Sequence, residues 1–236
     1  MEFRSLRRAV TPVVFTTLVV LVLVYIAVGF SSKFVPGAER TFSYLELIAD
    51  DVLDGELWRL VTYALIHNLT SPFHLIFNGL IIYFFGPDLE LRWGRGRLLL
   101  FMLLTVVGGG AFVVAGSSLG ISAPMAIGSS AFGEGLLIAW ALTYPERPLR
   151  MMFVIPLRGV HLIPVGLFLW ILDAVSQSGT SAAAHLGGMV TAAVLVLGVW
   201  RPNHLKAWWW SLLEKLRLKK KPKLYAVPGP KDKWVN

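Results

Sequence analysis

The sequence predicts an all-α membrane protein whose helices cross the bilayer six times. Of the 236 residues, 56% are apolar and only 15% are charged, and the mean hydropathy is +0.65. A soluble domain usually carries charge on about a quarter of its residues. Several stretches approach the roughly 20 apolar residues that a helix needs to cross hydrocarbon, and positive charge recurs after every second stretch. These observations favour a helical bundle in a membrane.

The six predicted spans cover residues 11–30, 73–86, 98–115, 127–144, 160–176 and 182–200. The first span follows Arg4, Arg7 and Arg8 and contains no charged residue. Because its apolar run is long for a signal peptide, it is predicted to be retained. The second span is short and carries His74 and Asn78, so it is predicted to lie inside the bundle, away from lipid.

The charges between the spans predict the orientation. Arginines precede the first span and follow the second and fourth spans, and the C-terminal segment is basic. Because cytoplasmic loops are enriched in Lys and Arg, both termini are predicted to be cytoplasmic. Residues 33–73 carry three basic and six acidic side chains and are predicted to be external. The expected location is a bacterial plasma (inner) membrane, in which the chain is a multi-pass protein.

The predicted organisation has three parts. Residues 1–10 form a basic cytoplasmic N-terminus, residues 11–200 form the membrane domain, and residues 201–236 form a basic cytoplasmic tail. Within the tail, residues 206–218 have the pattern of an interfacial helix. The net charge of +8 is concentrated in this tail. Beside a membrane span such charge indicates contact with the lipid bilayer, and no nucleic-acid partner is predicted.

The first external segment, residues 33–73, is predicted to be an amphipathic structure in the outer leaflet. It mixes apolar residues such as Phe42 and Leu45 with acidic side chains. Trp58 and Tyr63 have the amphipathic rings that are typical of headgroup depth. This loop is therefore expected to lie along the membrane surface.

Two polar residues, Ser130 and His185, lie in spans that are otherwise strongly apolar. Polar and ionisable groups at membrane depth are functional candidates, because they are costly to bury without a purpose. Ridges of small residues, which allow membrane helices to approach closely, lie beside both. They are Ala131, Gly135 and Ala139 in the fourth span, and Ala184, Gly188 and Ala192 in the sixth. Packing these ridges together would bring the hydroxyl to the imidazole, the minimum for an activated nucleophile.

A site that stabilises negative charge is predicted beside Ser130. Ser130 follows Gly128 near the start of a helix, where backbone N–H groups lack helical partners. His74 and Asn78 are four residues apart, so they share one helix face. Together these donors are predicted to form an oxyanion hole. No metal or cofactor is predicted, since the chain has no cysteine and its histidines lack ligand spacing.

Five short motifs resemble the rhomboid family of intramembrane serine proteases, over about residues 55–200. They are GSSA around Ser130, HLIFN from His74 to Asn78, AHLGG around His185, LWRL at 57–60, and Glu90, Arg92 and Gly94 after the second span. The resemblance implies a six-transmembrane-helix rhomboid-like bundle with a Ser130–His185 dyad, assisted at the oxyanion by His74 and Asn78. It also implies an external water-filled cavity and cleavage of transmembrane segments in single-pass or polytopic membrane-protein substrates.

The chain departs from the family pattern at two positions. Ala131 follows the serine where the family usually has Gly, and Glu134 stands where the family usually has an aromatic residue packed on the catalytic imidazole. Glu134 is one turn below Ser130 on the same face. One hypothesis is that Glu134 accepts a hydrogen bond from the second ring nitrogen of His185. The other is that Glu134 only fills space, with Phe132 covering the imidazole.

Other interpretations stay open. The alternative function is a catalytically weak or inactive rhomboid-like protein that binds membrane clients; a small transporter is a further alternative. Ser129 is the obvious rival nucleophile, although its side chain should point about 100° away from that of Ser130. His67 is expected at the cavity rim or the interface, and Asp173 is expected to be structural. Glu90 and Arg92 are predicted to form an ion pair at the cytoplasmic edge.

Overall fold

The computed structural model describes residues 10–151, 155–176 and 182–198. The chain divides into two compact units, Met1–Leu197 and Gly198–Asn236. The predicted N-terminal basic segment, up to residue 9, and nearly all of the second unit lie outside the described residues. The predicted interfacial helix of the tail is among these.

The described chain is predominantly helical, and a helix overlaps each of the six predicted spans. In chain order, the helices are α1 (Pro12–Phe34), α2 (Ala38–Ser43), α3 (Ala49–Leu53), α4 (Arg59–Thr62), α5 (Pro72–Trp93), α6 (Arg95–Ser118), α7 (Ser130–Thr143), α8 (Leu162–Ser176) and α9 (Ala182–Leu197). Two of them, α1 and α6, are long and apolar enough to cross a membrane, and α7 and α9 are shorter apolar helices. The six-span count stays a prediction.

Helix α1 packs on the rest of the fold along a narrow stripe. Val14, Leu21 and Val28 are buried at intervals of seven residues, whereas apolar side chains such as Phe15 and Leu23 are exposed. A helix that is apolar on every face suits a lipid environment. The first backbone N–H groups, at Val13 and Val14, donate to the carboxylate of Glu90 on α5 at 3.1 Å.

Glu90 therefore has a different partner from the one predicted. It caps the N-terminus of α1, where free N–H groups and the helix dipole favour an anion, and Arg95 Nε lies 4.0 Å away. Arg92, the predicted ion-pair partner, lies over the ring of Tyr144, 5.5 Å from its centroid. The Glu90–Arg92 prediction is wrong because Glu90 pairs with the start of α1 and Arg95, and Arg92 contacts Tyr144 just after α7.

Two short antiparallel ribbons supplement the helices, which the all-α prediction did not include. Strand β1 (Leu47–Ile48) pairs with β2 (Met125–Ala126), and β3 (Pro148–Met151) pairs with β4 (Ile155–Arg158). They occur in connecting segments, where backbone groups without helical partners pair with one another. The β1–β2 pair ties the first external segment to the residues just before α7.

Arg59 and Tyr63 organise the first external segment from within. The Arg59 side chain is buried and contacts Glu56, Asp51 and the carbonyl oxygens of Ser43 and Glu46. Tyr63 does not have the exposed face that an interfacial ring would present. Its ring is fully buried, and its hydroxyl donates to the Val106 carbonyl of α6 at 2.9 Å. Trp58, by contrast, is half exposed.

Helices α7 and α9 approach closely through their small residues. A Cβ atom built on Gly188 of α9 would overlap the backbone of Ala131 on α7. A Cβ atom on Gly135 would lie 3.4 Å from the Gly188 carbonyl oxygen, an ordinary contact, and Ala131 and Ala184 are buried. Any larger side chain at Gly188 would push the helices apart. The two ridges singled out in the sequence therefore meet.

Candidate active site

The segment before α7 is shaped by Gly128. Its φ of 106° lies in the left-handed region, which favours glycine. Its N–H donates to the Tyr63 carbonyl at 2.9 Å, and a Cβ atom at this position would lie 2.6 Å from the imidazole of His74. Glycine thus lets the chain pass directly beside His74. Ser130 follows as the first residue of α7 and is buried.

A buried histidine, His67, links Ser129 to Asn78. Its Nε2 lies 3.3 Å from the backbone nitrogen of Ser129, from the Ser129 hydroxyl, and from Nδ2 of Asn78. Its Nδ1 lies 3.4 Å from the Leu65 carbonyl. These partners assign the proton to Nδ1, because Nε2 accepts from the Ser129 N–H. Burial and the nearby His74 imidazole lower the pKa of His67 to about 4, so the ring is neutral at pH 7.

His74 and Asn78 of α5 border the same stretch of backbone. The rings of His67 and His74 have centroids 5.1 Å apart. His74 adjoins Gly128, while the buried Asn78 lies next to both Gly128 and His67. The structure therefore brings the two predicted oxyanion residues to the segment that leads into Ser130. Their donors are of the type that stabilises an anion beside free helical N–H groups.

His185 of α9 faces a carboxylate on α7. Its Nδ1 lies 3.2 Å from Oε1 of Glu134, and the two side chains are 12% and 15% exposed. Glu134 is one turn after Ser130 on α7, and Ala131, the neighbour of Ser130, lies against Gly188 of α9. Phe132 packs edge-on against Phe101, with ring centroids 6.5 Å apart. Whether Phe132 also covers the imidazole stays a hypothesis.

Two residues of this neighbourhood were missed by sequence reasoning. His67 was expected at a cavity rim or the interface but is buried at the centre of a hydrogen-bond cluster. Tyr63 connects α6 to Gly128. Both lie in irregular chain, where no helical period reveals which side chains point inward. The side chain of Asp173 lies outside the described part, and within that part no group of three or more His, Asp or Glu residues is placed to hold a metal.

The described fold is a bundle of apolar helices with a buried serine at the start of α7, and comparison with known proteins identifies the family. The Rhomboid domain family profile matches residues 54–202, so this chain belongs to the rhomboid family. One similar protein is the "Rhomboid protease GlpG" of Photorhabdus laumondii, 29% identical over 208 residues. The alignment covers 86% of this chain and 66% of that protein, so the chain spans just under two thirds of its relative.

Proposed function

We propose that this chain is an intramembrane serine endopeptidase that cleaves transmembrane segments of single-pass or polytopic membrane-protein substrates. The supporting observation is the convergence of α5, α7 and α9 at the start of α7. Ser130 begins that helix, His74 and Asn78 border the preceding backbone, and His185 lies on the closely packed α9. A relative named as a rhomboid protease supports the same activity.

In the proposed mechanism, Ser130 and His185 act as nucleophile and general base. His185 takes the proton of the Ser130 hydroxyl as its oxygen attacks the substrate carbonyl carbon. The Ser130 N–H, His74 and Asn78 donate to the resulting oxyanion, and each such donor is worth about 3–4 kcal/mol. His185 then gives its proton to the leaving amine. Water hydrolyses the acyl-enzyme, with His185 again as the base.

Ser129 and His67 form a second serine–histidine pair, with the hydroxyl 3.3 Å from Nε2. This pair is a weaker candidate for the nucleophile and base. The Nε2 lone pair of His67 is already engaged by the Ser129 N–H and by Asn78. With a pKa of about 4, His67 is also a poor proton acceptor at neutral pH. We therefore assign His67 to holding the oxyanion residues in place.

The proposed arrangement in the membrane has six spans, with residues 1–10 and 201–236 cytoplasmic and residues 33–73 external. Water then reaches Ser130 from outside through the family's cavity, and the basic segments contact lipid. The bilayer is that of a bacterial plasma membrane. Because the chain has no cysteine, an impermeant thiol reagent should modify a cysteine placed at Asp51 but not one at Lys220 in intact cells. The reverse labelling would overturn this topology.

The alternative function is a catalytically weak or inactive rhomboid-like protein that binds membrane clients. One observation favours it, the carboxylate of Glu134 at 3.2 Å from His185 Nδ1. A carboxylate that kept the imidazole protonated at neutral pH would prevent it from accepting the Ser130 proton. Such a protein would still bind substrate helices while cleaving them slowly or not at all.

Cleavage by the purified protein in detergent tests the proposal. Wild type should cut a model transmembrane substrate and react with a fluorophosphonate probe. Ser130→Ala should abolish both, whereas its neighbour control Ser129→Ala should retain both. Loss with Ser129→Ala alone would move the nucleophile to Ser129. Stable binding of the substrate by wild type without cleavage or labelling would favour the alternative function.

A further inference from the structure

Glu134 is a carboxylate in an apolar helix, and its surroundings restrict what it can do. Its side chain is only 15% exposed, and a buried carboxylate without hydrogen-bond or charge partners is strongly unfavourable. His185 Nδ1 lies 3.2 Å from Oε1, within ion-pair distance but without the angles of a formed hydrogen bond. Catalytic contacts of this kind often tighten only when substrate is bound. Oε2 has no hydrogen-bond partner among the described residues. The imidazole is therefore the group toward which this carboxylate is directed.

Among the described residues, Asp88, Glu90 and Arg95 have partners away from His185. On α5, Asp88 accepts from Trp140 and Arg147, and Glu90 caps α1. Arg95 of α6 lies near Glu90, Arg97 follows it in the first turn of α6, and His74 of α5 adjoins Gly128. The side chain of Asp173 on α8 is outside the described part.

The spacing of Ser130 and Glu134 along α7 suits contact of both side chains with one imidazole. Ser130 and Glu134 are one turn apart, about 6 Å along the helix axis, and they share a face. A ring that donates from Nδ1 to the carboxylate must carry its lone pair on Nε2, the nitrogen on the other side of the ring. This tautomer is the one that a general base for Ser130 requires.

We propose that Glu134 is the third member of a Ser130–His185–Glu134 triad. Glu134 acts as a positioning residue: its carboxylate accepts from Nδ1–H of His185 and fixes the ring orientation. When His185 takes the Ser130 proton on Nε2, the carboxylate stabilises the imidazolium and remains ionised itself. The proton then passes to the leaving amine, and Glu134 is unchanged over the cycle. The inference rests on the proposed function and deepens it.

The test is the pH dependence of kcat/KM for wild type and for variants at this position. Glu134→Gln keeps the shape of the side chain but removes its charge, so it should lower kcat/KM at pH 7 by about 100-fold or more. The acidic limb of its profile should move to lower pH, since an imidazole without the carboxylate is harder to protonate. Glu134→Asp should retain part of the rate, and the wild-type limb, because it keeps the charge.

Glu146→Gln is the matched control, because it removes a carboxylate that is 75% exposed and paired with Arg158. It should leave the rate and the profile unchanged. If kcat/KM of Glu134→Gln is within threefold of the wild-type value and the acidic limb is unchanged, the triad is overturned. Glu134 would then only make a contact between α7 and α9. A faster Glu134→Gln variant would also overturn the triad and make the carboxylate inhibitory.

Failure of the triad and failure of the proposed function give different results. If Ser130→Ala is inactive while Glu134→Gln is not impaired, only the triad fails. If wild type does not cleave and is not labelled by the fluorophosphonate probe, the proposed function fails and the triad fails with it. Should Glu134→Gln not fold, the profile of Glu134→Asp decides. A large shift of its acidic limb relative to Glu146→Gln would contradict the proposal.

Discussion

His67 and His185 are both largely buried in the same helical unit, and the partners of their ring nitrogens differ. The Nδ1 of His67 faces a backbone carbonyl, and its Nε2 faces a backbone N–H and an amide. The Nδ1 of His185 faces the carboxylate of Glu134. A buried imidazole between uncharged partners stays neutral and holds those partners in position. An imidazole beside a carboxylate can accept and return a proton.

Burial in an apolar bundle therefore does not by itself determine the role of a histidine. Burial disfavours the charged form of any imidazole. Among the described residues, a negative group that could offset that cost lies beside His185 but not beside His67. We therefore expect the same substitution at the two positions to have different effects.

The largest expected difference comes from replacing each histidine with glutamine. His185→Gln should lower kcat/KM by roughly 1,000-fold or more, because an amide cannot act as the general base. His67→Gln should stay within roughly tenfold of wild type, since its side-chain oxygen can still accept from the Ser129 N–H. Steady-state cleavage in detergent measures both. Equal losses at the two positions would show that His67 takes part in proton transfer.

A smaller effect is expected at Gly128, the residue that lets the chain pass beside His74. In Gly128→Ala the new Cβ would lie 2.6 Å from the His74 imidazole. The ring must move, and loss of one oxyanion donor should cost about 100-fold in kcat. Gly120→Ala is the matched control, because Gly120 also has positive φ, 69°, but has open space around it.

Both alanine variants should lose roughly 1 kcal/mol of stability to backbone strain. Only Gly128→Ala should lose activity beyond that. If the two variants cleave substrate equally well, His74 has no part in stabilising the oxyanion, and the polar cluster around His67 is structural.

The parts of the fold that the sequence predicts are those with a regular period. Apolar length locates the helical segments, and small residues at every fourth position, such as Ala131 and Gly188, predict the contact between α7 and α9. Between α1 and α5 the chain has short helices and turns, so periodicity does not show which face is inward. For this reason the sequence does not predict the burial of Tyr63, and it does not distinguish a rim position from an interfacial one for His67.

The pairing of Glu134 with His185 is a hypothesis at the level of sequence, and only the packing of the helices can select it. One sequence gives the order of residues along each helix, while the relative depth of two helices depends on how their side chains interlock. A shift of α9 by one turn, about 5.4 Å, would place another residue beside the carboxylate. The small residues at Ala131 and Gly188 fix that depth in the structure.

The smallest expected effect concerns stability and again separates the two histidines. The pKa of His67 is about 4 in the folded protein, against 6.5 for the unperturbed side chain. Between these values the unfolded chain binds a proton that the folded protein does not, so the free energy of unfolding falls as the pH is lowered from about 6.5 towards 4. From pH 7 to pH 5 the loss in the free energy of unfolding attributable to His67 should be about 2 kcal/mol.

The free energy of unfolding in mild detergent, measured by denaturant titration at both pH values, would report this loss. His67→Gln has no titrating group here and should lose correspondingly less over the same interval. If wild type and His67→Gln lose the same stability, His67 is protonated within the fold, and the contrast with His185 is wrong.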